Sequence, residues 1–150
     1  MKIIIAGAGE VGTHLARLLG EENHDITVID ENKDRIQTFK DNAELTPLVG
    51  KCTSLNDLNT AGVKDADLFI GVTPEESSNI LSCMLASNLG AKKTLARIDN
   101  YEYLLPKNAV FFEERGINSM IYPEMMAARE IVQALKTPWT RFWWELSNGS

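Results

Sequence analysis

The stretch "KIIIAGAGEVGTHLARLL", residues 2–19, constrains the fold most, because the chain changes its hydrophobic period at a cluster of glycines. Lys2 to Ala6 read as a short buried strand with three successive isoleucines, whereas Val11, Leu15, Leu18 and Leu19 fall on one face of a helix. Between them Gly7, Gly9 and Gly12 stand at G-x-G-x-x-G spacing. In a chain with 10 glycines that spacing arises by chance, but a strand before it and a helix after it give each glycine a task. Gly7 permits the tight turn, Gly9 lets a pyrophosphate approach the backbone, and Gly12 lets helix and strand pack closely. The start of the helix presents unpaired N–H groups and the positive end of its dipole to an anion. The run Gly7, Ala8, Gly9, Glu10, Val11, Gly12 is therefore a candidate phosphate-binding turn.

A dinucleotide fingerprint also needs an acid about 20 residues further on, at the end of the next strand. Asp25-Ile26-Thr27-Val28-Ile29 alternates and is rich in β-branched residues, and Asp30 ends it. A carboxylate there accepts hydrogen bonds from ribose hydroxyls and repels a 2′-phosphate, which favours NAD, NADH or a plain adenine nucleotide over NADP. The alternative is that Asp30 only caps a helix beginning near Asn32.

The rest of the chain alternates strands and helices. A helix from about Asn32 to Asp41 turns Ile36 and Phe39 inward, and Leu45 to Val49 is a strand whose Pro47 belongs at a sheet edge. A helix from about Ser54 to Ala61 stops at Gly62, and Ala66 to Val72 forms the fourth strand. In "TPEE", Thr73 is the expected N-cap, Pro74 the first helical residue and Glu76 the acid three residues after the cap. Leu81, Met84, Leu85 and Leu89 are the expected apolar stripe of that helix, which Gly90 ends. Lys93 to Ile98 is a fifth strand, Pro106 to Phe112 is a loop with a short helix or strand, and Ile117 to Tyr122 is a sixth strand. Pro123 to Lys136 reads as a closing helix. This alternation predicts an α/β, Rossmann-like, doubly wound parallel sheet of six strands in the order 3-2-1-4-5-6, covered by helices on both faces.

Length and composition fit one soluble domain: 150 residues, 44% hydrophobic and 24% charged. A formal net charge of −6 argues against a general nucleic-acid partner, including a DNA-binding redox sensor. The sequence shows neither a signal peptide nor an apolar run of membrane-spanning length, and Cys52 and Cys83 lack metal-ligand spacing, so a reduced, cytoplasmic chain is expected.

In doubly wound sheets ligands bind beyond the carboxyl ends of the strands where strand order reverses. The residues there are the glycine turn, Asp30, Gly50-Lys51-Cys52-Thr53, Thr73-Pro74 and Arg97. Cys52 and Thr53 border an adenine or form an ordinary turn; Thr73 is expected both to touch ligand and to cap its helix. Arg97 offers a guanidinium fork to phosphates or pairs with Asp99. Glu10 opposes bound phosphate, and is matched to ribose, a cation or a partner subunit instead. His14 and His24 read as surface or packing residues, and no nucleophile–base arrangement stands out. A binding module is favoured over an enzyme, with an NAD-dependent oxidoreductase lacking its substrate region as the alternative.

The runs "GAGEVGTHLARLL", "ITVIDENKDRI", "DADLFIGVT" and "LARIDNYEY" together resemble the nucleotide-binding N-lobe of RCK, or KTN, domains, in particular those of Trk-type potassium uptake regulators. The resemblance covers about residues 1–136. It implies a non-catalytic, cytosolic regulator of a membrane potassium transporter or channel, which binds NAD(H), ADP or ATP and assembles as dimers into a ring. It implies nucleotide contacts from Gly7 to Val11, Asp30, Thr73-Pro74 and Arg97, the last near the phosphates. One departure is Lys51, which stands where the family usually has an acid after Gly50. The family continues into a smaller C-lobe, so the chain is expected to be a fragment. Met125, Ala128, Val132 and Leu135 form one stripe of the closing helix, and the 137–150 tail carries Trp139, Phe142, Trp143 and Trp144. These aromatics fold back on the core or pack on a second copy.

Overall fold

The computed structural model describes residues 1–122; the expected closing helix at 123–136 and the aromatic tail at 137–150 lie outside them. Six strands form one parallel sheet: β1 (Lys2–Ala6), β2 (Asp25–Asp30), β3 (Leu45–Val49), β4 (Leu68–Gly71), β5 (Lys93–Arg97) and β6 (Ser119–Ile121). Their order is β3-β2-β1-β4-β5-β6, as the alternation of elements predicts. The helices are α1 (Glu10–Gly20), α2 (Lys33–Gln37), α3 (Leu55–Ala61), α4 (Glu76–Leu89) and α5 (Pro106–Glu113).

The isoleucine run of β1 explains why the sheet is buried on both sides. Successive side chains of a strand point to opposite faces. Ile3 and Ile5 therefore join Leu15 and Leu19 of α1, with Val28, Ile36 and Phe39, on one face. Ile4 and Ala6 join Leu58 of α3, Phe69, Cys83 and Ala86 of α4, and Met120 on the other. Burial of each large aliphatic side chain contributes about 1.5–3 kcal/mol, so this central strand anchors both layers. Pro47 sits in edge strand β3 opposite Val28, and the side of Pro47 that faces away from β2 needs no ladder donor.

The expected boundaries need three corrections, and one open alternative is decided. The helix after Asn32 is only five residues long; Asn32 caps it by accepting from Asp34 and Arg35 N–H, and the chain then turns from Thr38 onward. Strand β4 is shorter than Ala66 to Val72, because Val63–Asp65 forms a 3-10 turn that delivers the chain to the sheet. Strand β6 is likewise only three residues long, against the expected Ile117 to Tyr122. The segment from Pro106 is a helix with Pro106 in its first turn, where a missing N–H costs nothing.

The face of α4 is corrected at Leu81 and in which residues lie deepest. Leu81 is 45% exposed; Met84, Leu85 and Leu89 are half-buried and pack on the core as expected, and the fully buried residues are Asn79, Ser82, Cys83 and Ala86. A Cβ added to Gly71 of β4 would lie 3.1–3.3 Å from Asn79 and Ser82 atoms. The helix therefore lies so close to the sheet that only small or short side chains fit beneath it, and Leu81 is turned outward.

Candidate nucleotide site

Strand order reverses between β1 and β4, and the glycine turn fills the point where their carboxyl ends part. Gly7 has φ +119°, a conformation an L side chain rarely adopts, and a Cβ there would lie 2.9 Å from Val72 and Thr73 backbone atoms. A Cβ on Gly12 would overlap the Gly7 carbonyl oxygen. These two glycines are thus required by the protein's own packing. Gly9 differs: its φ of −77° suits any residue, and the nearest atom to an added Cβ is Arg35 Nη1, 3.9 Å away. The space above Gly9 is open although nothing inside the protein demands it.

Asp30 is the hinge of the site. Its Oδ2 accepts the Ala8 N–H at 2.7 Å and its Oδ1 the Asn32 N–H at 2.7 Å. The carboxylate therefore ties the glycine turn to the start of α2, and the capping role belongs to Asn32. Each oxygen retains further acceptor capacity, and Asp30 lines the cleft, so a ribose hydroxyl there can donate to it. Arg35 Nη1 lies 3.9 Å from Asp30 Oδ2.

A cleft of about 260 Å³ opens beyond β2, β3 and β4; its lining includes Asp30, Arg35, Lys51, Cys52, Thr53 and Thr73, together with Pro74. A neighbouring groove along α1 is lined by Ala8, Gly9, Glu10 and His14, and Arg35 borders both. The structure thus brings Asp30, Cys52, Thr53, Thr73 and Pro74 to one wall and Ala8, Gly9 and Glu10 to the next. Gly7, Val11 and Gly12 line neither hollow and act as framework. Lys51 donates its backbone N–H to Asp57 Oδ2 at 2.8 Å, so an acid from α3 braces the turn after β3.

Thr73 lines the cleft but does not cap α4, whose N-cap is Glu75 with no side-chain bond. Its hydroxyl lies 2.7 Å from Asn79 Oδ1, and its N–H donates to the same oxygen at 2.8 Å. The Asn79 amide donates to the carbonyls of Thr73 at 2.9 Å and Arg97 at 3.0 Å. One side chain, only 1% exposed, thereby joins the ends of β4 and β5. Glu76 accepts the Asp99 and Asn100 N–H groups at 2.6 and 2.7 Å, so it braces the loop after β5 and forms no capping box. Arg97 is part-buried, borders neither hollow, and its Nε has no hydrogen-bond partner. Among the described residues it makes no ion pair with Asp99.

Burial raises the Cys52 thiol pKa in the cleft and pushes that of Cys83, beneath α4, up to about 12, so both stay protonated at neutral pH. No cluster of metal-ligating side chains occurs among the described residues.

Residues 3–123 match the TrkA-N domain family. The chain belongs to that family. The Trk system potassium uptake protein TrkA of Haemophilus influenzae is 39% identical over 140 residues, which cover 92% of this chain and 31% of that protein. A TrkA homolog of Pyrococcus abyssi is 35% identical over 144 residues, covering 92% of this chain and 61% of that one. The TrkA-N domain therefore spans less than two thirds of either relative. Among solved structures, the TrkA-N domain of the inner membrane protein ybaL from Escherichia coli superposes with a TM-score of 0.71 at 18% identity, over 90% of this chain and 93% of that one. The GsuK channel bound to NAD gives 0.66 at 20%, over 83% and 21%. The Shewanella denitrificans Kef CTD in AMP-bound form gives 0.64 at 18%, over 95% and 86%. At these identities the structures bear on the fold alone.

Three residues that shape this TrkA-N site were not visible as such in the sequence: Arg35, Asp57 and Asn79. An Asp or Asn early in a helix that follows a strand is a weak signal. Only the packing shows that Asp57 and Asn79 turn back toward the strand ends.

Proposed function

We propose that this chain is a nucleotide-binding regulatory domain of a potassium transport system. The TrkA name of its relatives supports the transport setting. The observation that carries the nucleotide part is Gly9: its missing side chain leaves open space beside the Asp30 carboxylate, where the protein itself needs none. The ligands named for the structural neighbours, NAD and AMP, share an adenosine 5′-phosphate, which fits an acid for ribose next to a glycine turn for phosphate. Candidate ligands are thus NAD or NADH, with ADP and ATP as alternatives.

In this reading Gly9 and the start of α1 face the phosphates, Asp30 the ribose, and Cys52, Thr53, Thr73 and Pro74 the base and sugar. Arg97, whose Nε lacks a partner among the described residues, is assigned to the distal phosphates. The partner is a membrane potassium transporter or channel, and the domain, assigned to residues 1–136, pairs with copies of itself in dimers or a ring. It works in the cytoplasm, held at the inner face of the membrane by that partner. Nucleotide regulates transport only if it binds two arrangements of the paired domains with different affinity. Regulation needs no turnover, and the domain is read as non-enzymatic.

The test is calorimetric titration of the 150-residue chain with NAD, NADH, ADP, ATP and NADPH in one buffer. Saturable binding of the first four with NADPH rejected supports the assignment; binding by none refutes it. Steady consumption of NADH or ATP by the purified chain would instead refute the non-enzymatic part.

A further inference from the structure

Arg35 was not among the residues that the glycine fingerprint singles out, yet it is the side chain shared by the two hollows of the site. Its backbone is fixed. Asn32 Oδ1 accepts its N–H at 3.2 Å, and the next residue, Ile36, is buried in the core. Its guanidinium is not fixed: the side chain is 47% exposed, and among the described residues it makes no hydrogen bond. The nearest carboxylate oxygen, Asp30 Oδ2, is 3.9 Å away and already accepts the Ala8 N–H. Five N–H donors therefore lie near the Asp30 charge and are left unspent.

The direction in which they are unspent is specific. Asp30 marks where ribose hydroxyls would bind, and Gly9 marks where phosphate would pass closest to the backbone. Arg35 Nη1 is 3.9 Å from Asp30 Oδ2 and 3.9 Å from the position a Gly9 Cβ would take. The group of an adenine nucleotide that lies between its ribose and the glycine turn is the phosphate on the ribose 5′ carbon. We infer that Arg35 binds this 5′-phosphate, an inference that rests on the nucleotide reading above. A guanidinium fork on a phosphate is a charge-assisted, directional contact, and α1 supplies N–H donors from the opposite side. Arg35 then recognises what AMP, ADP, ATP and NAD have in common. Discrimination among them falls to residues further along the phosphate chain.

The experiment compares wild type, Arg35→Ala and Arg35→Lys, as the 150-residue chain, in titrations with adenosine, AMP, ADP, NAD and NADPH, with thermal unfolding of each protein as the control. In Arg35→Ala, affinity for AMP, ADP and NAD is expected to fall by a common factor of about 10 to 100, while adenosine binding stays within about twofold. Arg35→Lys is expected to recover part of the loss, because it keeps the charge without the fork. AMP affinity unchanged in Arg35→Ala would overturn the inference with the nucleotide site intact. Equal loss for adenosine and AMP would overturn it by making Arg35 a contact of base or sugar, and a loss confined to NADPH by moving it to the 2′ position. Failure of wild type to bind any of these ligands would refute the nucleotide reading itself, and with it the inference.

Discussion

The two halves of the site are built by different means. On the β1–β2 side, backbone approaches backbone: Gly7 abuts Val72 and Thr73, Gly12 abuts Gly7, and the Asp30 carboxylate holds the Ala8 N–H. On the β4–β5 side, side chains of α4 reach across the strand ends: Asn79 binds Thr73 and Arg97, and Glu76 binds the N–H groups of Asp99 and Asn100. The first half tolerates no added atom at Gly7 or Gly12, and the second depends on polar atoms that must all be present. A turn of the first kind is rigid by steric exclusion. A network of the second kind is rigid only as long as each of its hydrogen bonds is kept.

That contrast can be broken by substitution. The largest effect is expected from Gly12→Ala, whose methyl group would overlap the Gly7 carbonyl; a loss of about 4 kcal/mol or more, or failure to fold, should appear in urea unfolding. A fully stable Gly12→Ala protein would mean that the turn is not rigid by exclusion. Asn79→Ala leaves the Thr73 N–H and two carbonyls without their partner, and about 2–3 kcal/mol should be lost. Amide exchange should rise at Thr73 and leave Ala8 protected; equal deprotection of both would show the two halves to be one unit.

Glu76→Gln sharpens the picture within the second half. It keeps an acceptor for Asp99 and Asn100 but removes the charge, so about 1 kcal/mol is expected, read as a small shift in the urea midpoint. The smallest effect belongs to the opposite, amino-terminal ends of the strands. There the Asp67 carboxylate accepts the Lys2 N–H at 2.8 Å and pairs with Lys92 at 3.1 Å, which together hold its pKa below the ordinary 3.8. Its contribution is present above the ordinary carboxylate pKa and is lost as pH falls through the lowered value. Asp67→Asn should therefore be less stable than wild type near neutral pH, with the gap closing in acid. A gap that stays constant down to acid pH would contradict the assignment.

Local patterns made the first half legible. A strand of isoleucines, glycines at fixed spacing and an acid closing the next strand lie within 30 residues, and each is read from neighbours in sequence. Ser54 and Gly62 bounded α3 in the same way: Ser54 accepts the Asp57 N–H and Gly62 takes φ +83°. The second half was misread where local chemistry competed with packing. "TPEE" has the composition of a capping box, but the Thr73 hydroxyl lies against Asn79 and Glu76 against the loop after β5, both better partners once β4 and β5 are adjacent. Arg35 escaped for a related reason: a lone arginine in a polar helix is ordinary, and only its place between Asp30 and Gly9 makes it notable.

The sequence by itself determined the sheet order, the glycine turn and the position of Asp30, because hydrophobic period and glycine stereochemistry act between residues close along the chain. Tertiary structure alone decided which residues of α4 lie deepest against the sheet. Met84, Leu85 and Leu89 of the expected stripe pack half-buried at the side of the helix and Leu81 is exposed, because a helix pressed this closely on Gly71 has room directly beneath it only for Asn79, Ser82, Cys83 and Ala86. The distance between helix and sheet, which no local pattern encodes, chose the smaller side chains and with them the polar wiring of the site.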